Sequence, residues 1–181
     1  MFEAATRLFV SKGYAGTTTK AVATQAGVNE ATLFRRYGGK AELICAALRA
    51  RLEAVPLRTL AATDDLEADL VTIVQAYLLT QEQVGALLPM LLVEVPQHAE
   101  LRPALDVVWT NIHGVSQIIA HHQERGALQH EPPLLTVSAL IGPMFAVGLA
   151  RRAQMVELPL RVDVAAHVRG FLGGRAVSGN H

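Results

Sequence analysis

The sequence predicts an all-α fold. Apolar residues recur at helical spacing along most of the 181 residues, and glycines or prolines separate one such segment from the next. No run alternates apolar and polar residues with a period of two for long enough to predict a strand. Hydrophobic residues make up 51% of the chain, which is enough to form packed cores and excludes an intrinsically disordered protein.

The first part of the chain predicts four helices separated by glycines. Threonines 17–19 and Asn29 are candidate N-caps, because their short side chains accept hydrogen bonds from the free N–H groups at a helix start. Gly13 and Gly27 are expected to end helices, because glycine adopts the left-handed backbone of a C-terminal turn without strain. The predicted helices cover about residues 2–12, 19–26, 30–37 and 40–55.

The second part of the chain predicts longer helices, again from apolar stripes at helical spacing. The expected segments are an amphipathic helix from Asp65, an apolar helix over 86–95, helices over about 103–124 and 134–150, and a last helix from near Arg161 to Gly173. The tail from Ala176 to His181 is expected to be loose.

Residues 134–150 contain no charged side chain, and at 17 residues they approach the lower limit for a membrane-spanning helix. They include Thr136, Ser138 and Gly142-Pro143. We interpret them as a buried helix at a subunit interface, and we expect no membrane partner. The amphipathic N-terminus does not resemble a signal peptide, and a single cysteine, Cys45, fits a reducing compartment, so we expect a cytoplasmic protein.

Charge is divided unevenly along the chain. The total is zero, from 16 basic and 16 acidic residues. Residues 1–51 hold 8 basic and 3 acidic side chains, a net charge of +5, so the remaining 130 residues carry −5. A neutral total therefore does not argue against nucleic acid, because a basic segment precedes an acidic one. The alternative is an uneven but merely solvated surface.

Residues 19–37 have the proportions of a helix-turn-helix unit, with two short helices joined by Gly27-Val28-Asn29. Ala23 is small where the helices must cross, and Val28 and Leu33 are expected to fill the space between them. The second helix of such a unit enters the major groove of DNA. The alternative is a generic helical hairpin. The positive charge of the segment favours DNA, because phosphate contacts supply most non-specific affinity.

No motif indicates an enzyme, a metal site or a cofactor. His121 and His122 are adjacent and point in different directions on a helix, so they cannot chelate one ion. Gly38-Gly39-Lys40 is not a phosphate-binding loop, because that motif requires glycine in place of Phe34 and serine or threonine in place of Ala41. We therefore expect a protein that is not an enzyme and holds no cofactor.

The order and spacing of residues 2–48 resemble the N-terminal DNA-binding domain of the TetR family of transcriptional regulators. The later glycine and proline turns and long apolar helices are similar to that family's C-terminal domain. The residues that carry the N-terminal resemblance are Ala5 to Phe9, Gly13-Tyr14, Thr17-Thr18, Val22-Ala23, Ala26-Gly27-Val28, Thr32-Leu33-Phe34, Arg36-Tyr37, Lys40 and Leu43.

The resemblance implies two domains and a set of DNA contacts. Residues 1–47 would form a three-helix, helix-turn-helix DNA-binding domain, and residues 48–181 a helical ligand-binding and dimerisation domain. Base contacts are expected at the start of the second unit helix, and phosphate or sugar contacts on both sides of it. The implied DNA-binding residues are Thr17, Thr18, Glu30, Ala31, Thr32, Phe34, Arg35, Arg36, Tyr37 and Lys40.

Three features depart from the family pattern. Glu30 is an anion among phosphates, and it either accepts a hydrogen bond from a cytosine amino group or is repelled outward. Gly39 stands where the family often has a capping serine or aspartate, so a weaker cap is expected. The chain also begins almost at the first helix, which leaves open whether a basic N-terminal arm is missing.

The resemblance further implies a homodimer and a ligand pocket. Pairing of helices near 103–125 and 134–152 would form a four-helix interface, for which the alternative at each residue is packing inside one chain. The candidate interface residues are Ile112, Ile119, Leu140, Met144 and Val147. The candidate ligand-binding residues, for which ordinary packing is again the alternative, are Tyr77, Met90, Glu94, Trp109, His113, Gln117 and Phe145.

The sequence therefore predicts a transcriptional regulator, a ligand-responsive repressor that binds a pseudo-palindromic DNA operator as a homodimer and responds to a small-molecule effector. The alternative is a helical interaction protein whose helix-turn-helix has lost DNA binding, which Glu30 and the short N-terminus would favour. The sequence does not identify the effector, the operator or the regulated genes, and it does not distinguish a repressor from an activator.

Overall fold

The computed structural model describes residues 1–155 and 162–175. Within these ranges the chain is helical and contains no strand, which confirms the all-α prediction. The expected start of the last helix near Arg161 and the tail from Ala176 to His181 lie outside the described residues. The helices are α1 Phe2–Gly16, α2 Thr19–Ala26, α3 Glu30–Tyr37, α4 Lys40–Glu53, α5 Leu66–Val84, α6 Leu87–Glu94, α7 Arg102–Glu124, α8 Pro133–Arg152 and α9 Val164–Arg175.

The predicted caps determine where α2 and α3 begin. The Thr18 hydroxyl accepts the Ala21 N–H at 3.1 Å, and the Asn29 side-chain oxygen accepts the Ala31 N–H at 2.8 Å. Gly27, with φ of 67°, ends α2 in the left-handed conformation that was expected. These two caps and one glycine explain why residues 19–37 form two short helices instead of one long helix.

Gly13 breaks α1 without ending it. Its backbone (φ 69°, ψ −177°) leaves the helical region, but the chain returns to helix and continues to Gly16. The prediction that the first helix ends at Gly13 is therefore wrong by about one turn. The conformation at Gly13 belongs to a region that is open almost exclusively to glycine.

The chain divides into two compact units. The first unit is Met1–Ala54 with Val84–Trp109, and the second unit is Val55–Gln83 with Thr110–His181. The boundary between residues 47 and 48, which the family resemblance implies, remains a prediction.

Small residues dominate the core of the helix-turn-helix segment within the first unit. Ala23 and Leu33 are buried, as expected, and the alanines allow the helices to approach closely. Val28 is 39% exposed, so the expectation that it fills the corner between α2 and α3 is wrong. The buried residues of this core are Ala4, Ala5, Leu8, Val22, Ala23, Leu33, Leu43 and Ala47.

The core of the second unit is built from larger aliphatic and aromatic side chains. It joins residues of α5, α7, α8 and α9. The Gln123 side-chain amide closes the loop before α8 by donating to the carbonyls of Gln129 (3.0 Å) and Glu131 (2.9 Å). The buried residues of this core are Leu70, Ile73, Val74, Tyr77, Val115, Ile118, Ile119, Leu128, Val137, Leu140, Met144, Val168 and Phe171.

The apolar helix α8 is only partly buried within its own chain. Among the described residues, it is the one single helix whose length and composition would allow it to cross a membrane. Helices α5 and α6 satisfy the same criterion only if they are taken together as one broken span. Only 22% of the apolar window of α8 is buried within the chain. The interpretation of α8 as a helix buried at a subunit interface remains a prediction.

Candidate nucleic-acid interface

Helix α3 presents most of its side chains to solvent. Leu33 is the buried residue of this eight-residue helix, with 1% exposure, and it attaches α3 to the helix-turn-helix core. Phe34 is 49% exposed although it is apolar. Arg35 and Arg36, at the C-terminal end, are also exposed. The arrangement leaves a polar and aromatic face of α3 free to contact another molecule.

The carboxylate of Glu30 is engaged within the protein. It accepts a hydrogen bond from the Thr19 hydroxyl at 2.6 Å, which connects the first residue of α3 to the first residue of α2. The side chain is half-buried. At least one oxygen of the Glu30 carboxylate is therefore bound to α2. The sequence analysis considered only a contact with a base or an outward position for this side chain.

The two threonines that were expected to contact phosphate differ in position. Thr17 is fully buried, and its hydroxyl donates to the Gly13 carbonyl at 2.7 Å, so this side chain is not at the surface. Thr18 is exposed and caps α2. The phosphate contact expected from Thr17 therefore has no support in this structure, because the hydroxyl group closes the last turn of α1.

Tyr37 and Lys40 have protein partners as well as exposed surface. Tyr37 is half-buried and its ring lies 5.8 Å from that of Phe2, while the Arg36 guanidinium lies 5.6 Å from the Tyr37 ring centre. The N-cap of α4, Gly39, provides no side-chain cap, as the sequence predicted. Ala31 and Thr32 complete the expected set and are exposed on α3.

Lys40 makes a double contact with the last turn of α1. Its ammonium donates to the Ala15 carbonyl at 3.2 Å and lies 4.2 Å from the centre of the Tyr14 ring. Lys40 is half-buried, in contrast to the exposed arginines of α3. The position of its charge therefore depends on Tyr14 and Ala15.

Glu94 connects α6 to this same turn, a relationship that the sequence analysis missed. Its Oε1 accepts the Tyr14 backbone N–H at 3.0 Å, and its Oε2 lies 3.6 Å from His98 Nε2. The Tyr14 ring is buried against the His98 ring at 4.3 Å. Burial, then the hydrogen bond and charge of Glu100, raise the pKa of Tyr14 to about 12. In the sequence, the one sign of this contact was that Glu94 is an isolated carboxylate in an apolar run. We interpreted that sign as a ligand-binding residue.

The other candidate ligand-binding residues are divided between the two units. Trp109, His113 and Gln117 are exposed on α7, and the last two side chains contact each other at 3.3 Å. Tyr77 is buried in the second unit, where Gln81 donates to its hydroxyl. Half-buried positions are occupied by Met90 of the first unit and Phe145 of the second unit.

A cavity of about 490 Å³ lies within the second unit, between residues of α5, α8 and Val162. Its lining combines apolar side chains with polar and charged ones. The Arg152 guanidinium is held by the carbonyls of Gln81 (3.0 Å) and Gly148 (3.2 Å). The lining residues are Leu78, Gln81, Glu82, Met144, Val147, Gly148, Arg151, Arg152 and Val162. None of the seven candidate ligand-binding residues is among them.

The candidate interface residues are mostly internal. Ile119, Leu140 and Met144 belong to the core of the second unit, while Ile112 and Val147 are half-buried. For Ile119, Leu140 and Met144 the alternative was packing inside one chain, and the structure shows this packing. The exposed leucines of α8 are different residues, Leu134 at 44%, Leu135 at 59% and Leu149 at 45%.

Residues 2–47 match the sequence model of a family described as bacterial regulatory proteins, tetR family. Over this segment the chain matches the TetR family. The match covers α1–α3 and the first half of α4, which includes each predicted DNA contact. A curated relative, the uncharacterised HTH-type transcriptional regulator YvkB of Bacillus subtilis (strain 168), is 48% identical over 48 residues. That similarity spans 26% of this chain and 25% of the relative.

Solved structures extend the likeness to the whole fold. A proposed fatty acid metabolism regulator from Clostridium perfringens superimposes with a TM-score of 0.76 and 18% identity over 98% of each chain. A proposed TetR-family transcriptional regulator from Mesorhizobium loti gives 0.66 and 21% identity, with 97% of this chain and 95% of the other covered. The fold is therefore TetR-like along its length, with an N-terminal helix-turn-helix domain and a C-terminal helical domain.

Proposed function

We propose that this protein is a transcriptional regulator that binds double-stranded DNA through α3 and acts in the cytoplasm as a ligand-responsive repressor. The observation that carries the proposal is the exposed face of α3 within the TetR-family domain. One buried leucine, Leu33, fixes the helix on its core, and Thr32, Phe34 and Arg36 remain accessible. A helix attached in this way can enter the major groove without disturbing the core.

Electrostatics support DNA as the partner. The net charge of +5 over residues 1–51 provides the phosphate affinity on which non-specific binding depends. Arg35 and Arg36 are exposed at the end of α3, where guanidinium groups reach phosphates or a guanine edge. Because Glu30 accepts a hydrogen bond from Thr19, one of the two arguments for a protein that has lost DNA binding becomes weaker.

A homodimer follows from the same proposal. One helix-turn-helix unit reads few base pairs, whereas a two-fold dimer reads a pseudo-palindrome with two recognition helices about one DNA turn apart. The exposed leucines of α8 are the apolar surface that such an interface would cover. We expect Leu135→Asp to weaken self-association in sedimentation experiments. Leu79→Asp, at a leucine of α5 with 50% exposure, is the matched control.

The cavity of the second unit is the candidate effector site. Its volume of about 490 Å³ lies within the usual range of roughly 300–1,000 Å³ for small-molecule pockets. Leu78, Met144 and Val147 offer an apolar wall, and the fixed guanidinium of Arg152 offers a polar contact. An effector relieves repression only if it binds the DNA-free arrangement more tightly than the DNA-bound one.

The experiment that tests DNA binding is selection of bound sequences from random duplex, followed by salt titration of the selected site. We expect a pseudo-palindromic preference and an affinity that falls steeply with salt. The double variant R35A/R36A should lose affinity and reduce the salt slope by about 1–2 units, at about 0.9 per phosphate contact. Arg102→Ala, an exposed arginine of α7, is the control and should bind like the wild type.

Absence of any preference over random duplex would favour the helical interaction protein instead. Glu30 supplies a second discrimination between the two roles considered for it. If its carboxylate serves only the Thr19 contact, Glu30→Gln raises affinity for all duplexes and leaves the selected sequence unchanged. A changed base preference in this variant would show that Glu30 contacts a base.

A further inference from the structure

The break in α1 at Gly13 leaves a backbone N–H, that of Tyr14, which Glu94 accepts. Because Gly13 leaves the helical conformation, the N–H of the next residue points to α6 and is accepted by the Glu94 carboxylate at 3.0 Å. The Glu94 side chain is 15% exposed, so this charge-assisted hydrogen bond is shielded from water on most sides. A Cβ at Gly13 would collide with the same carboxylate oxygen, which shows how closely the two segments approach.

Tyr14 connects Glu94 to Lys40, because its backbone contacts Glu94 and its ring contacts the Lys40 ammonium. One partner of its ring is His98, at 4.3 Å, and another is the Lys40 ammonium, at 4.2 Å. Lys40 also donates to the carbonyl of Ala15, the residue that follows Tyr14. The half-buried ammonium therefore takes its position from the backbone and ring of the turn that Glu94 holds.

The segment that follows α6 strengthens the same attachment. His98 lies 3.6 Å from Glu94 Oε2 and 3.8 Å from Glu100 Oε1. Glu100 in turn forms a hydrogen bond with the Tyr14 side chain. Residues of 94–100 thus contact Tyr14 at its backbone, its ring and its hydroxyl, all within the first unit.

We propose that Glu94 is a positioning residue for DNA binding, which acts through Tyr14 to hold the Lys40 ammonium where it meets a phosphate. This inference rests on the proposed DNA-binding function and adds to it a residue outside the family-matched segment. The carboxylate touches no DNA itself. Its contribution is to fix a turn whose carbonyl and ring hold the cation, so that little ordering remains when DNA binds.

The test compares Glu94→Ala, Glu94→Asp and Glu94→Gln on the DNA site selected by the wild-type protein. The alanine variant removes the acceptor, and the aspartate variant keeps the charge but shortens the side chain. Both should weaken binding about tenfold, which corresponds to about 1.4 kcal/mol. The glutamine variant retains an oxygen that can accept the Tyr14 N–H and should bind within about twofold of the wild type.

The salt dependence separates positioning from simple destabilisation. If the Lys40–phosphate contact is lost, the slope of log affinity against log salt falls by about 0.9 in the alanine and aspartate variants. A protein that is only less stable shows the wild-type slope per folded molecule. In a Lys40→Ala background, Glu94→Ala should have little further effect, because both changes remove the same contact. Glu67→Ala, an exposed carboxylate of α5, is the control and should change neither quantity.

Hydrogen exchange of the Tyr14 amide gives a readout that needs no DNA. Exchange should be slow in the wild type and in Glu94→Gln, and fast in Glu94→Asp. Wild-type affinity and slope in both shortened variants, or unchanged Tyr14 exchange, would overturn the positioning role while leaving DNA binding intact. A wild-type protein without sequence preference would instead overturn the proposed function, and this inference with it.

Discussion

His122 Nε2 lies 2.8 Å from Asp69 Oδ2 inside the second unit, and the two side chains are only 1% and 6% exposed. The same carboxylate accepts the Thr63 N–H at 2.8 Å and the Thr63 hydroxyl at 2.7 Å. Asp69 therefore joins the loop before α5, the first turn of α5 and the end of α7. Residues 69 and 122 are 53 positions apart, so this pair stabilises tertiary structure and not a local turn.

Removal of the Asp69 carboxylate is expected to destabilise the fold strongly. In Asp69→Ala, His122 Nε2 and both Thr63 donors lose a buried partner, and breaking a buried pair in this way costs about 3–5 kcal/mol. Asp69→Asn keeps an oxygen for Thr63 and should cost less, about 1–3 kcal/mol. Chemical denaturation followed by circular dichroism measures both free energies of unfolding.

Glu67→Gln is the matched control for these variants. It removes the same charge from the same first turn of α5 at an exposed position, and its effect should stay within about 0.5 kcal/mol. Equal losses in Asp69→Asn and Glu67→Gln would show that the charge of the helix start, and not the buried pair, is what stabilises the unit.

The pH dependence of unfolding follows from Asp69 as well. Burial is the largest single influence and opposes ionisation, but the Thr63 N–H, the Thr63 hydroxyl and His122 together hold the pKa of Asp69 below its usual value. Since the folded-state pKa is lowered, the ionised carboxylate stabilises the fold above the unfolded-state pKa of about 3.9. This contribution is lost as the pH falls through the folded-state pKa.

The measurement is the difference in unfolding free energy between the wild type and Asp69→Asn at several pH values. We expect a constant difference above about pH 5 that shrinks progressively below about pH 4. A difference that instead grows on acidification would contradict the lowered pKa of Asp69.

Local chemistry made much of this fold predictable. Asn29, Thr18 and Gly27 each act within a few residues, so their side-chain or backbone preferences gave the limits of α2 and α3 directly. The exposed face of α3 and the buried Leu33 followed from the same spacing.

Contacts between distant residues were not predictable. Glu94 and Tyr14 are 80 positions apart, and an isolated carboxylate in an apolar run does not indicate which N–H it accepts. The burial of Thr17 beside the exposed Thr18 depends on how α1 continues past Gly13, because the Thr17 hydroxyl closes onto that carbonyl. The exposure of α8 likewise depends on packing, since hydropathy does not distinguish a core helix from an uncovered one.

Two glycines with similar φ should differ in their tolerance of alanine. Gly27 (φ 67°, ψ 31°) is in the left-handed helical region, and no atom lies within 4 Å of a Cβ built there. Gly27→Ala should therefore cost about 1–2 kcal/mol of backbone strain alone. Gly13→Ala displaces the Glu94 carboxylate from the Tyr14 N–H and adds the loss of this hydrogen bond to a backbone cost of about 1–3 kcal/mol, so it should be the more destabilising change.

Thermal unfolding of the two glycine variants makes this comparison. The double variant Gly13→Ala with Glu94→Ala should be little less stable than Gly13→Ala alone, because the alanine at position 13 already removes the contact between Glu94 and the Tyr14 N–H. If Gly27→Ala proves as damaging as Gly13→Ala, close approach of Glu94 contributes nothing measurable at Gly13.

Phe34 and Leu33 are adjacent on α3, yet they should affect different properties. Leu33 is 1% exposed in the helix-turn-helix core, so Leu33→Ala should destabilise the protein by about 2–5 kcal/mol through the cavity it leaves. Phe34 is 49% exposed, so Phe34→Ala should change stability by no more than about 0.5 kcal/mol. Its effect should appear in DNA binding as an affinity loss of about tenfold, or about 1.4 kcal/mol.

The two quantities are measured independently, by denaturation and by titration of the selected duplex at fixed salt. An aromatic ring exposed on a recognition helix packs against a thymine methyl, so the loss should be largest on sites that carry thymine opposite Phe34 and smaller on random duplex. Wild-type affinity in a well-folded Phe34→Ala protein would exclude this ring from the interface, and R35A/R36A would then show whether α3 faces DNA at all.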